Sequence, residues 1–135
     1  HGDELYAHSL SVVVLSLFIA KNFGEFNQTF LENLAVGALY HDVGYIQLKL
    51  SEVDKNEFEV DGEEWNQHKS HPKLGLELIS KLKGLPEEVQ FIVYQHHEHY
   101  DGRGFPNQLK GDSIFILSQV VCLADEYCKA WQQLS

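Results

Sequence analysis

Positive charge is scarce in this sequence. Its 135 residues hold 10 basic side chains against 20 acidic ones, a formal net charge of -10, and Arg103 is the one arginine. That balance excludes broad binding to nucleic acid backbones or anionic membranes, which needs clustered Lys and Arg. It would also repel an anionic substrate unless something positive is held in the site. Cysteine is almost as rare. Cys122 and Cys128 fall six apart in what reads as one helix, on different faces, which excludes an intrachain bridge. Two small buried thiols in a reducing compartment are expected instead. Long apolar runs are scarce: Leu10 to Ala20 is apolar but covers only about half of the ~20 residues that a bilayer span requires. Asp3 and Glu4 precede it, the wrong sign for a secretory signal. It reads as a core helix of a cytoplasmic protein with no membrane insertion. Internal repeats, low-complexity tracts and the period-two alternation of strands are all missing.

What is present is helical. A hydrophobic fraction of 44% and a charged fraction of 22% suit one soluble domain with a single core. A first helix is expected from Asp3 to about Phe23, stopped by Gly24 and packed on several sides because its apolar positions are so dense. A second runs from Asn27 to Tyr40 and ends in His41-Asp42-Val43-Gly44. An acidic loop follows from Ser51 to Glu64, with a short helix beginning near Gly62. Pro72 suits the first turn of the next helix, which Gly84 ends. Pro86 opens a helix that delivers His96 and His97, and a last helix spans about Asp112 to Trp131. The expected fold class is all-α, a bundle of five to seven helices.

The densest chemistry lies in His96-His97-Glu98-His99-Tyr100-Asp101-Gly102-Arg103-Gly104-Phe105-Pro106, three imidazoles and two carboxylates closed by a glycine-rich turn. Imidazole beside carboxylate points to metal. Further candidates occur along the chain: Glu4 and His8 at i and i+4, then His41, Asp42, His71 and Asp125. Asp125 is the most telling, because a carboxylate inside Val120-Val121-Cys122-Leu123-Ala124 is expensive to bury unless it meets a cation. Bundles build metal sites from such inward side chains on facing helices. Five imidazoles and three carboxylates exceed the needs of one ion, so two or more are implied. Mixed N/O ligation suits Fe, Mn, Ni or Zn, and the lack of a thiolate set argues against structural zinc. His68 and His99 read as solvent-facing or as neighbours of the ligands, and Trp65, Phe91 and Tyr94 as core.

With those residues in view, the chain resembles the HD superfamily of metal-dependent phosphohydrolases. His8, His41-Asp42 and Asp125 are similar to its H…HD…D pattern. HHEHYDGRGFP resembles the HHExxDGxGYP run of the HD-GYP subfamily, with Phe105 in place of Tyr, and His71-Pro72-Lys73-Leu74-Gly75 resembles its HPxxG element. The resemblance implies that residues 1–135 form a single HD-GYP-like domain, part of a longer chain. It implies hydrolysis of cyclic di-GMP to pGpG or GMP in bacterial signalling, at a centre of two or three divalent ions. Fe or Mn is expected, with Ni, Zn or Mg as alternatives. His8, His41, Asp42 and Asp125 would hold one ion, Asp42 would bridge, and His71, His96 and His97 would hold the second. Glu4 matches the glutamate of members with a third metal. Two neighbouring ions activate water and clamp phosphoryl oxygens, which also answers the charge problem. Gly104, Phe105 and Pro106 would help to position the nucleotide. A fused sensor or receiver domain and a homodimer are the expected partners.

Two departures stand out. The family's HDxGK motif has Tyr45 at its lysine position here, and the Arg that usually follows the final Asp is either absent or lies beyond residue 135. Tyrosine donates a hydrogen bond but brings no charge. Among the cations near the motifs, Lys49, Lys73 and Arg103, Arg103 is the expected substitute phosphate contact. The leading expectation is an active phosphodiesterase with Asp42, Arg103 and Tyr45 as its catalytic groups. The alternative is a degenerate module that binds metal and nucleotide without turnover and serves as a sensor or interaction domain.

Overall fold

Capping chemistry sets the helix boundaries. The computed structural model describes residues 2–50, 53 and 55–134, and orders them into α1 (Gly2–Phe23), α2 (Gln28–Tyr40), α3 (Gly62–Ile79), α4 (Glu87–Gln95) and α5 (Ile116–Leu134). Two 3-10 turns, Val43–Gln47 and Gly111–Ser113, join them, and no strand occurs among the described residues. The Asn27 and Asp61 side chains accept the backbone N–H of Phe30 and Glu64 at 2.9 and 2.8 Å, satisfying donors that a helix start leaves orphaned. Pro86 stands at the N-cap of α4, where its missing N–H costs nothing. The all-α expectation holds.

Two boundaries differ from expectation. Residues 62–79 form one helix, not a short one followed by another from Pro72. A mid-helix proline forfeits the bond to the carbonyl four residues back, here that of His68. The His71 ring Nδ1 bonds that carbonyl oxygen instead, at 2.5 Å, so the helix continues. The last helix begins at Ile116, because Asp112 belongs to a 3-10 turn. Ser51, Glu52 and Asp54 of the expected acidic loop lie outside the described residues.

The core forms where α1, α2, α4 and α5 meet, through Val12, Leu34, Ala38, Ile92, Leu117 and Val121, all 0% exposed. A smaller cluster of Ile79, Val89 and Val93 seats α3 on α4. The first helix is less enclosed than its apolar density suggests. Ser9, Val12, Ser16 and Ala20 are buried, while Tyr6, Leu10, Val14 and Phe18 form a stripe at four-residue spacing that faces outward. By length and composition alone Asp3–Phe23 could cross a membrane, yet its inner face carries buried His8 into the bundle. Cys122 and Cys128 are free and half-buried rather than fully buried. Burial, followed by the carboxylates of Glu126 and Asp125, pushes the Cys122 thiol up to about 12.

One backbone contact registers the site-bearing elements. A Cβ on Gly44 would run into the carbonyl oxygen of His71 and stand 2.8 Å from the backbone nitrogen of Gly75. Gly75 in turn meets Val93 and the Gly44 nitrogen, so the turn after Asp42 lies flat on α3. Backbone cannot rotate away as a side chain can. Gly44→Ala should therefore destabilise the fold by about 3 kcal/mol in urea unfolding. An unchanged midpoint would contradict this packing.

Candidate metal centre

Three histidines are oriented by one local device. His41 follows α2, His96 follows α4, and His71 precedes the proline in α3. Each places Nδ1 against the carbonyl oxygen three residues earlier: Ala38 at 2.6 Å, Val93 at 2.8 Å and His68 at 2.5 Å. These carbonyls lack a full set of intrahelical donors, because a helix ends or a proline follows. Each ring therefore donates Nδ1–H and turns Nε2 to the interior, the nitrogen that a neutral ring offers to a metal.

The Nε2 atoms converge on two buried carboxylates. His71 and His96 reach Asp42 Oδ1 at 3.2 and 3.4 Å, and stand 3.1 Å from each other. His41 Nε2 lies between Asp42 Oδ2 at 3.2 Å and Asp125 Oδ1 at 3.3 Å. His8 Nε2 meets Asp125 Oδ1 at 2.6 Å. Two donor groups result, one of Asp42, His71, His96 and His97, the other of His8, His41, Asp42 and Asp125, with Asp42 shared. The ligand atoms within each group lie within 4.8 Å of one another. Both Asp42 oxygens, His41 Nε2 and His97 Nε2 are buried with no hydrogen-bond partner among the described residues. Lone pairs facing lone pairs in a dry interior are repulsive until a cation joins them. The side chains present fit divalent metal, in an N/O set with no sulfur.

Burial works against an Asp42 carboxylate, but His41, His71 and His96 outweigh it and hold its pKa well below the ordinary value. Burial likewise opposes ionisation of Asp125, and Lys129 leads the opposing influences, ahead of His41 and His8, that bring it well below. His41 is the exception: burial lowers its pKa, but Asp42 and Asp125 prevail and hold it well above 6.5, so without a metal its Nε2 carries a proton that a bound cation would displace. Burial keeps His71 and His97 neutral, with further depression from His96, and neutral imidazole is the ligating form.

The loop after α4 is clasped to this centre. Glu98, 1% exposed, accepts the backbone N–H of Asn107 and of Leu109 at 2.8 Å each. Gly104 sits where a Cβ would strike the backbone of His97 to His99. Phe105 then stacks on His97 with centroids 4.6 Å apart and meets Trp65 edge-on at 5.8 Å. Beside this wall opens a cavity of about 630 Å³ lined by Trp65, Lys69, His99, Arg103, Phe105 and Pro106 among others.

The expected residues are distributed unevenly. His8, His41, Asp42, His71, His96, His97 and Asp125 come together. Glu4 is exposed on α1, outside both donor groups. Arg103, Gly104, Phe105 and Pro106 line the cavity, with the Arg103 guanidinium 3.8 Å from Asp101. Tyr45 is 5% exposed, stacks on His71 at 4.1 Å and directs its hydroxyl to Nδ1 of His68 at 3.1 Å. His68, read as solvent-facing or as a neighbour of the ligands, is 1% exposed and belongs to the second class. Trp65, read as core, lines the cavity. Two cations escaped the sequence reading. Lys69 lines the cavity, and Lys129 places Nζ 2.9 Å from Asp125 Oδ2. The i,i+4 spacing of Asp125 and Lys129 was the signal that could have found the latter.

A family model described as HD domain matches residues 5–130. Among curated relatives, a 3'3'-cGAMP-specific phosphodiesterase of Vibrio cholerae is 34% identical over 88 residues, which cover 64% of this chain and 17% of that protein. A cyclic di-GMP phosphodiesterase response regulator of Xanthomonas campestris is 34% identical over 95 residues, 70% of this chain and 25% of its own length. The chain thus spans a quarter or less of these relatives. In three dimensions it is similar to an HDG"Y"P protein from Bdellovibrio bacteriovorus, with TM-score 0.78 and 26% identity over 90% of this chain and 39% of that one.

Glu98 carries a testable consequence of the loop geometry. Glu98→Ala strands two amides that now donate to a buried carboxylate, and should cost about 3 kcal/mol in urea unfolding. Glu98→Gln, which keeps one acceptor oxygen, should lose less. Equal losses would show that the two amide bonds do not hold the loop.

Proposed function

We propose, from the premise that this chain belongs to the HD domain family, that it is a metal-dependent phosphodiesterase acting on a cyclic dinucleotide such as cyclic di-GMP or cyclic GMP-AMP. The observation that carries this reading is the pair of donor groups sharing Asp42, joined through the Phe105 ring stacked on His97 to a cavity of about 630 Å³. His8, His41, Asp42 and Asp125 would hold one ion, and Asp42, His71, His96 and His97 the other. Glu4, one turn before His8, is the candidate ligand of a third, outer ion. Fe or Mn suits this N/O set, and the product is pGpG or GMP. When bound, the ions supply Lewis acidity that activates water and screens the phosphoryl oxygens.

The chain's own groups do the rest. Trp65 and Phe105 offer apolar ring faces to a base, and Lys69 and Arg103 meet the phosphates at the cavity rim. Phe105 also fixes the His97 ring by stacking on it. Tyr45 is a positioning residue: its ring backs His71, and its hydroxyl donates to His68, whose Nε2 stands 3.8 Å from Glu64. The positive charge missing at position 45 is supplied by Lys129, fixed against Asp125 at the edge of the centre. A preorganised cation in a site of low dielectric stabilises charge that grows on the phosphoryl oxygens. The name of the Xanthomonas relative, a response regulator, supports an attached signalling domain in the whole protein.

One observation favours a second reading. The Tyr45 hydroxyl is committed to His68, so no charge reaches the phosphate from the lysine position of the family motif. A module that holds metal and nucleotide without turnover would tolerate that.

Anaerobic loading with Fe(II) or Mn(II) followed by cyclic di-GMP assay separates the two. Turnover should be measurable and fall to background in Asp42→Ala. Lys129→Met should lower kcat by about 10²-fold with KM and metal content little changed. Unchanged kcat would remove Lys129 from the chemistry. Full metal content without turnover would establish the binding module.

A further inference from the structure

Outside the two buried donor groups, three side chains of different chemistry meet at the surface. Cys122 and Glu126 stand at i and i+4 on α5, one above the other on the same face. His99 approaches from the loop after α4, whose backbone is tied down by Glu98 on one side and the Gly104 contact on the other. One ligand atom from each of the three lies within 4.8 Å of the others. His99 Nε2 and Glu126 Oε1 are already 3.5 Å apart. The buried centre has no sulfur; this cluster offers nitrogen, sulfur and oxygen together.

We propose that His99, Cys122 and Glu126 form a separate, thiolate-containing site for a borderline-soft divalent cation of the Zn²⁺ class. The ligand types are those zinc takes, and three protein ligands leave a fourth position open to water or an incoming group. Thiolate selects Zn²⁺ over Mg²⁺ or Mn²⁺, which prefer oxygen, so this site and the buried one differ in preference. Ions reach it from solvent, because the His99 and Glu126 side chains are 39% and 54% exposed. The carboxylates of Asp125 and Glu126 make the place negative, while Lys129, the neighbouring cation, is engaged with Asp125. Burial and the two carboxylates hold the Cys122 thiol up at about 12, so the ion itself must displace the proton: binding exchanges the S–H bond for an S–metal bond, and the proton leaves to solvent. His99 also lines the cavity that holds Trp65 and Arg103, so a cation bound here lies at the edge of the proposed nucleotide pocket. The site stands whether or not the buried centre turns over substrate.

Cobalt reports on it directly. Titrating the whole chain with Co²⁺ should produce a thiolate-to-cobalt charge-transfer band in the near ultraviolet, which the sulfur-free buried centre cannot give. Cys122→Ser should abolish the band and leave the visible absorption of cobalt in the buried centre. His99→Ala and Glu126→Gln, both at exposed positions, should weaken the cobalt affinity read from the band by about tenfold or more. Cys128→Ser should change nothing, and Zn²⁺ should bleach the band by displacement. No charge-transfer band, or one that survives Cys122→Ser, overturns the proposal.

Discussion

The tautomer of three histidines is the constraint on which the centre depends. A carbonyl left short of donors at the end of α2, at the end of α4 and before Pro72 captures the Nδ1–H of the ring three residues on. That bond engages Nδ1–H and aims Nε2 at Asp42. The helix ends lose nothing, since their carbonyls are satisfied. The interior gains a cluster of Nε2 atoms and carboxylate oxygens suited to a cation. A carbonyl short of donors, at two helix ends and before Pro72, thus orients a potential ligand at the centre of the bundle.

The backbone register is set by contacts too close for any side chain. Gly44 lies against the carbonyl of His71, and Gly104 against the backbone of His97 to His99. The first contact brings Asp42 to the helix that carries His71. The second folds the loop so that Phe105 covers His97 and, with Trp65, walls the cavity. Glu98, adjacent to two imidazoles in sequence, is turned away from them and spends both oxygens on loop amides. Three consecutive residues therefore serve three purposes: His96 in the centre, His97 between centre and cavity, and Glu98 in the loop.

Charge is arranged against the trend of the whole molecule. The chain carries a net charge of -10, yet Lys129 stands beside Asp125 and Lys69 lines the cavity with Arg103. Tyr45, at a position where a cation would be expected, instead packs flat on His71. The positive charge near the centre comes from the opposite wall, one turn beyond Asp125 on α5. Local potential, not net charge, governs what an anionic ligand meets at the site.

Composition and short-range pattern alone determined that this protein is helical, where most of its helices begin and end, and which side chains have the chemistry of metal ligands. Those features depend on caps, on prolines and on bonds spanning three or four residues, all visible in consecutive letters. The one helix from Gly62 through Pro72 to Ile79 escaped, because its continuation depends on a side-chain bond that replaces a backbone one. Tertiary structure decided what lies beside what. His8 and Asp125 meet across 117 residues of sequence, Asp42 joins both donor groups, and His99 reaches Cys122 and Glu126. It also moved Trp65 from expected core to cavity wall and left the outer stripe of α1 uncovered. Such pairings follow from how whole helices pack, and no local spacing records which faces come to touch.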